Sequence, residues 1–226
     1  MIKNYFNYIK ETTNSEIGKT SFKTILNSIY YDEERCELFC YGNDLISLDG
    51  IDFFQNVVLA HLNDNNLDNL DGIQHCKNLK MLNCSINNLT HIEEILNLKN
   101  INALNVGFNL ISDLTGIREL SDLEYFYCQN NLLESFEFGN FSIDAIELGI
   151  DRTDLVRFKK LKILTCYNNL FSYRYEKYIK DYCSNKKIHL NIHNIKIPYS
   201  KKNNRDYTNG IDKNTFAGEE INFLIP

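Results

Sequence analysis

Cysteines are the residues of this 226-residue chain with the widest possible chemistry, and there are seven. Thiols can form disulfides, bind zinc or act as nucleophiles. Four of them, Cys40, Cys84, Cys128 and Cys166, take the same place in alternate copies of a repeated apolar pattern. Neighbouring strands lie about 4.8 Å apart, so alternate copies would separate these thiols by roughly 10 Å. We therefore predict free, buried cysteines, with Cys36 the most exposed.

Other catalytic or metal-binding patterns are missing. The five histidines are scattered, and the fragment His91-Ile92-Glu93-Glu94 lacks the second histidine of a zinc-protease helix. There is no glycine-rich phosphate loop and no motif for a Ser/His/Asp set. Three N-x-S/T triplets occur, but they carry no weight without a secretory signal. The sequence thus predicts no catalytic site, no metal and no cofactor.

Asparagine is the residue that recurs most regularly. Asn43, Asn65, Asn87, Asn109 and Asn131 lie 22 residues apart, and Asn169 takes the same place in a later repeat. The amide side chain offers two donors and an acceptor to backbone groups where the chain turns inside a buried environment, and asparagine tolerates left-handed backbone angles. These six residues are predicted to form a structural ladder.

The residues around each asparagine predict the elements that position the ladder. The unit reads L-x-x-L-x-L-x-x-N-x-L-x-x-L-x-x-I-x-x-L-x-x. Its L-x-L pair has period two, which indicates a short strand buried on one face. The second half has period three, which favours a 3₁₀ or irregular return segment. The pattern weakens after Phe136. A shortened sixth repeat is predicted at Ile143, Ile146 and Leu148, with Asp151 in the asparagine place.

This pattern resembles the 22-residue subclass of leucine-rich repeats found in internalins and in some phosphatase-regulating proteins. The resemblance implies an α/β repeat fold: a right-handed solenoid with a parallel β-sheet on its concave face, short 3₁₀ or irregular convex segments, and about seven repeats with caps. The predicted organisation is an N-terminal cap (1–34), the repeats (35–173), a C-terminal cap (174–198) and a polar tail with an apolar end (199–226).

The caps have local signals. Ile25–Tyr31 is predicted to pair with Glu37–Tyr41 as a hairpin. Ser172 is a candidate N-cap for a helix, and the alternation of Ile188, Leu190 and Ile192 predicts a closing strand. The apolar end of the tail either folds over the cap or binds a partner.

The residues between the buried strand positions should project from the concave face. Tyrosine is enriched in interface hot spots, and amides can add hydrogen bonds. Alternatively, the aromatics are there because they favour strands. The candidate protein-binding residues are Phe39, Tyr41, His61, Asn63, Asn83, Asn105, Tyr125, Tyr127, Glu147 and Tyr167.

Charge and composition limit the partners. The net charge is −6, and no Lys or Arg lies in the predicted columns of the concave face, which argues against nucleic acid. No segment resembles a signal peptide or a membrane span, so a cytoplasmic location is expected. The composition suggests an AT-rich, bacterial source. The leading hypothesis is a non-enzymatic module that binds a protein partner. A dedicated inhibitor or immunity protein against a bacterial toxin, a phosphatase-regulatory scaffold, and a secreted effector or adhesin remain open, as does the oligomeric state.

Overall fold

A single sheet of short strands organises the protein. The structure, a computed structural model, describes residues 29–136 and 158–192. Eight strands follow one another in chain order: β1 (Tyr30–Asp32), β2 (Glu37–Phe39), β3 (Leu59–His61), β4 (Met81–Asn83), β5 (Ala103–Asn105), β6 (Tyr125–Tyr127), β7 (Ile163–Thr165) and β8 (His189–Asn191). All neighbouring pairs from β2 to β8 are parallel, and β1 pairs antiparallel with β2.

The parallel strands are in strict register, as a repeat of constant length requires. Leu38 pairs with Ala60, Ala60 with Leu82, and Leu82 with Leu104. These side chains point inward and are fully buried. The return segments include four 3₁₀ helices, at Ile51–Phe54, Ile73–His75, Glu93–Ile95 and Ile117–Glu119. No repeat can bury its apolar face alone, so each is stabilised by its neighbours.

The asparagine ladder ties each repeat to the one before it. Asn109 donates from Nδ2 to the carbonyl oxygens of Cys84 and Val106, at 3.1 and 3.0 Å, and its Oδ1 accepts from Leu89 N at 3.0 Å. Asn65, Asn87, Asn131 and Asn169 repeat this arrangement. Asn43 lies in the first repeat; its side chain donates to Tyr41 O at 2.8 Å, and its backbone N–H donates to Asn65 Oδ1 at 3.0 Å.

The left-handed backbone angle falls on the residue before each ladder asparagine. That residue has a φ between 53° and 66° in all six repeats: Gly42, Asp64, Ile86, Phe108, Asn130 and Asn168. The residue before the ladder asparagine therefore adopts the left-handed conformation. Among these six residues it is an asparagine at positions 130 and 168, where the conformation costs least for a residue with a side chain.

The sheet passes directly from the strand of the fifth predicted repeat to that of the seventh. β6 pairs directly with β7, Phe126 opposite Leu164, so no strand lies between them. The ladder also skips this stretch, because Asn169 Nδ2 donates to Cys128 O at 3.0 Å. The interval from Asn131 to Asn169 is 38 residues. Residues 137–157, with Ile143, Ile146, Leu148 and Asp151, lie outside the described residues.

The local elements predicted at the two ends are present where the structure describes them. The hairpin joins Tyr31 to Leu38 and Asp32 to Glu37. At the other end the helix α1 (Tyr173–Lys186) begins after Ser172, whose side chain accepts from Tyr175 N at 3.2 Å. The closing strand is β8, which pairs with β7. The exact domain boundaries stay predictions.

Candidate binding face

The concave face is formed by the side chains that alternate with the buried strand residues. Register places them in three columns that cross the strands. The first is Glu37, Leu59, Met81, Ala103, Tyr125 and Ile163, the second is Phe39, His61, Asn83, Asn105, Tyr127 and Thr165, and the third is Tyr41, Asn63, Ser85, Gly107, Gln129 and Tyr167. Nine of the ten predicted site residues lie in these columns.

Aromatic side chains cluster at the N-terminal end of the face. Phe39 stacks on the His61 ring with 4.9 Å between centroids, and Tyr30 of β1 lies 5.7 Å from the Phe39 ring. Tyr41 is 58% exposed, whereas His61 is only 7% exposed. Burial lowers the pKa of His61 to about 4, so this imidazole is neutral at physiological pH.

The amide side chains of Asn83 and Asn105 occupy the centre of the face, and each accepts a hydrogen bond from the residue two positions further along the chain. Asn83 Oδ1 accepts from Ser85 Oγ at 2.8 Å, and Asn105 Oδ1 accepts from Gly107 N at 3.0 Å. The Gln129 side chain lies over Gly107, where a Cβ would come within 2.6 Å of its Nε2. A side chain at position 107 would therefore force the Gln129 amide to move. The centre of the face is neutral and held in place.

The C-terminal end of the face carries Tyr125, Tyr127 and Tyr167, all half-buried. A cation reaches this end, although no Lys or Arg lies in the columns themselves. Lys162 Nζ lies 5.7 Å from the Tyr125 ring centroid and 2.5 Å from Glu124 Oε2. The hydrogen bond to Glu124 raises the pKa of this ammonium group. A partner at this end would meet aromatic area next to a paired charge.

Glu147, the tenth predicted site residue, lies outside the described residues, and Tyr127 pairs directly with Thr165. The sequence reasoning also missed residues at both margins. β8 extends the columns with His189 and Asn191, and the hairpin adds Tyr30. The alternation around Leu190 was the available signal for the former.

The cysteines are free, and six of the seven are buried, with Cys36 the half-buried exception. Burial raises the pKa of Cys40, Cys76, Cys84 and Cys183 to about 12. The spacing argument fails for one pair: β6 and β7 are neighbours, so Cys128 and Cys166 lie in adjacent strands. Within the described ranges, no group of three or more His, Cys, Asp or Glu side chains could hold a metal ion.

A polar cleft of about 500 Å³ lies away from the concave face, between the return segments of the second and third repeats. Asp71, His91 and Glu94 are among its lining residues. His91 Nε2 lies 3.4 Å from Glu94 Oε1. Glu94 Oε2 is buried and has no hydrogen-bond partner among the described residues.

Comparison with known proteins supports the fold. An internalin (inlF) from Listeria monocytogenes superposes with a TM-score of 0.55 at 16% identity, over 71% of this chain and 43% of that one. The functional domain of InlJ from the same organism, whose description mentions a cysteine ladder, gives 0.51 at 21% identity, over 75% and 37%. This chain thus spans less than half the length of either.

Neither a protein-family profile nor a curated protein matches the sequence. Among the described residues, no helix has the length and apolar character needed to cross a bilayer. The sheet is open, its strands after the hairpin are parallel, and the chain superposes on two internalin structures. The fold of this chain is a leucine-rich repeat solenoid.

Proposed function

We propose that this chain is a non-enzymatic module that binds a protein partner through its concave face. The observation that carries the proposal is the face itself: aromatic side chains at both ends of a neutral, amide-rich centre. Tyrosine and phenylalanine supply large contact area, and Asn and Gln side chains add hydrogen bonds at low desolvation cost. The neighbours of known structure add support at the level of the fold.

The centre of the face is suited to binding because it is already ordered. Asn83 and Asn105 are fixed by bonds to Ser85 and Gly107, so little side-chain entropy is lost when a partner docks. The inward cysteines are suited to packing in the core. Burial raises the pKa of Cys84 to about 12, so its thiol stays protonated and is a poor nucleophile.

Site-specific photo-crosslinking tests the face directly. A benzophenone amino acid at Tyr41, which is 58% exposed, is expected to capture a discrete protein from source-cell lysate. The matched control carries the same group at Thr115, which is exposed on a return segment. Capture of the same protein equally from both positions would contradict the assignment.

Once the captured protein is purified, alanine variants measure the contribution of the face. Phe39→Ala, Tyr127→Ala and Tyr167→Ala are each expected to weaken binding by about 1–3 kcal/mol, which is roughly 5- to 150-fold in Kd. Isothermal titration calorimetry gives the constants, and Ser112→Ala on a return segment is the control. The assignment is abandoned if all three variants bind as tightly as the control.

We further infer a cytoplasmic location, because seven unpaired thiols suit a reducing compartment. Fractionation of source cells, with detection by a specific antibody, checks this. Protein found only in the medium or on the cell surface would contradict it and would favour a secreted effector or adhesin.

A further inference from the structure

The return segment of the third repeat departs from its neighbours at one position. The first, second and fourth repeats place a glycine just before the buried isoleucine of the return segment, at Gly50, Gly72 and Gly116. Each of these glycines has a φ between 86° and 102°. The third repeat has Glu94 at this place, before Ile95, and its 3₁₀ helix begins two residues earlier in the repeat than those of the second and fourth. A charged side chain therefore occurs where three other repeats have none.

Glycine at this place lets a repeat pack closely on the one before it. A Cβ at Gly72 would lie 3.2 Å from Ile51 Cγ2, and one at Gly116 would lie 2.4 Å from Leu96 Cδ1. Glu94 has a long side chain at the same place, facing the return segment of the second repeat. The polar cleft of about 500 Å³ lies between these two return segments, and Glu94 is one of its lining residues. The cleft thus coincides with the departure from the repeat.

The carboxylate of Glu94 is buried and only half satisfied. Its side chain is 11% exposed, and its Oε1 lies 3.4 Å from His91 Nε2. Its Oε2 is closed to solvent and has no hydrogen-bond partner in the described part of the chain. A carboxylate oxygen loses its hydration on burial, so an unpaired one costs free energy unless a donor reaches it. Buried polar groups in native proteins nearly always have a partner, so this oxygen points to a ligand with N–H or O–H donors.

The rest of the lining offers acceptors and negative charge. Besides Glu94 it consists of two carboxylates, three amides and an imidazole: Asp71, Glu93, Asn69, Gln74, Asn97 and His91. Among the described residues, no Lys or Arg lines the cleft, and neither Asp71 nor Glu93 forms an ion pair. Since Asn69 Oδ1 and Gln74 Oε1 already accept backbone N–H groups, the carboxylates are the main acceptors left. The cleft therefore favours a cation.

We propose that this cleft binds a guanidinium group. A bare metal ion fits less well, because no three His, Cys, Asp or Glu side chains of the described residues are placed to hold one. A guanidinium is planar, carries five N–H donors and is weakly hydrated, so it can bond more than one carboxylate at once. Donation to Glu94 Oε2 supplies the missing hydrogen bond, and Asp71 and Glu93 add negative charge.

Entry to the buried oxygen requires a neighbouring side chain to move. His91 is in contact with Glu94, and its side chain is 42% exposed, so it is free to turn aside when the ligand enters. The cleft shares no residue with the columns of the concave face. Guanidinium binding is therefore tested independently of partner binding at that face.

A nuclear magnetic resonance titration with N-acetyl-L-arginine amide is the first test. At about pH 7.5 and constant ionic strength, we expect saturable shifts of the backbone amides of residues 69–74 and 91–97, with a Kd of about 1 mM or below. N-acetyl-L-citrulline amide has the same shape without the charge and should give no saturable shift. N-acetyl-L-lysine amide should bind at least about threefold more weakly, because its ammonium group is compact and strongly hydrated. The proposal is overturned if either control probe binds as tightly, or if about 20 mM of the arginine probe shifts none of these amides.

Glu94→Gln is the decisive variant, because it keeps the shape of the side chain but replaces one carboxylate oxygen with a group that cannot accept. The Kd of the arginine probe should rise at least about tenfold. Asp52→Asn is the matched control, since it removes one negative charge from the return segment of the first repeat, outside the cleft. Circular dichroism checks that both variants are folded, and Glu93→Gln, at an exposed lining position, replaces Glu94→Gln if that variant does not fold. An unchanged Kd in the cleft variant, or an equal rise in Asp52→Asn, overturns the proposal.

Two further probes distinguish the sources of the guanidinium group. Agmatine represents a free small molecule, and a blocked tripeptide of arginine between two glycines represents a side chain of another protein. Tighter binding of agmatine supports a small guanidino compound as the ligand, and tighter binding of the peptide supports an arginine of a protein. Magnesium chloride is the last comparison. If it shifts the same amides and displaces the arginine probe at equal ionic strength, the cleft is a metal site and the proposal is overturned.

Discussion

At the scale of single residues, His61 on the candidate face makes the stability of the protein depend on pH. Its Nε2 is buried and has no hydrogen-bond partner among the described residues, and burial lowers its pKa to about 4. In an unfolded chain the pKa is about 6.5. Between about pH 4 and pH 6.5, the His61 imidazole is therefore mostly protonated in the unfolded chain and mostly neutral in the folded one. The stability that this pKa shift contributes is therefore complete above about pH 6.5 and is lost as the pH falls towards 4.

His61→Gln tests this linkage. In the unmodified chain, the pKa shift of His61 alone should make the free energy of unfolding about 2.5 kcal/mol smaller at about pH 4.5 than at pH 7. Urea titrations at the two pH values should show a smaller difference for His61→Gln. The exposed His75 provides the control, and His75→Gln should keep the full difference. An unchanged difference in His61→Gln would rule out the linkage.

Backbone conformation at two residues runs against local preference. Ile86 and Phe108 adopt φ values of 55° and 57°, where non-glycine side chains cost roughly 1–2 kcal/mol each. Asn130 and Asn168 take the same angles with less strain. The sequence predicts a turn at this place from the ladder asparagine, but the residue identities gave no sign that the left-handed angle precedes it. Bonds from the ladder to the neighbouring repeat hold the turn.

At the scale of the elements, the ladder asparagines should differ in energy according to their neighbours. The Asn109 side chain accepts from the buried Leu89 N–H and donates to three carbonyls of adjoining segments, whereas among the described residues the Asn43 side chain bonds only Tyr41 O. In Asn109→Ala these carbonyls keep other donors, so the Leu89 N–H is the group left unpaired, and the free energy of unfolding should fall by about 1–3 kcal/mol. Asn43→Ala should cost less than about 1 kcal/mol. Urea unfolding at pH 7 measures both, and similar losses would contradict this account of the ladder.

The strands were predictable because their signals are local and repeated. Leu82 and Leu104 each recur at a fixed distance from an asparagine, so the facing of their neighbours follows from period two alone. The direct pairing of β6 with β7 was not predictable. The spacing of Ile143, Ile146 and Leu148, which lie outside the described residues, predicts a strand between β6 and β7, because local spacing does not show which strands pair across the sheet.

The same limit applies to the candidate face. Its columns followed from the repeat, so Phe39 and Tyr127 were placed correctly. The place predicted for Glu147 depended on the sixth repeat, and both lie outside the described residues. The approach of Lys162 to Tyr125 was missed because a side chain at the strand margin reaches back over the face.

At the scale of the whole molecule, aromatic packing joins the last strands to the first five repeats. Phe126 packs near Phe136 and Phe158, with ring centroids 6.5 and 6.2 Å apart. The ring centroids of Tyr175 of α1 and Phe136 lie 6.4 Å apart. Aromatic side chains thus fill the volume where the leucine pattern is interrupted. The cap is packed against the fifth repeat and is expected to unfold with it.

One buried hydrogen bond tests that cooperativity. The N–H of Phe136 donates to Tyr175 Oη at 2.7 Å, across 39 residues of sequence. Tyr175→Phe keeps the ring but leaves this buried N–H without its partner, and it should lower the free energy of unfolding by about 1–3 kcal/mol. Tyr173→Phe is the control, because Tyr173 is 83% exposed and should cost under about 0.5 kcal/mol.

Hydrogen exchange shows how far the loss of that bond spreads. If the cap and repeats form one cooperative unit, Tyr175→Phe lowers the protection of amides in β5 and in α1 by the same free energy, since both open only in global unfolding. In a solenoid with separable ends, the amides of α1 would lose protection while those of β5 kept theirs. The second result would show that packing around Phe136 does not couple the cap to the repeats.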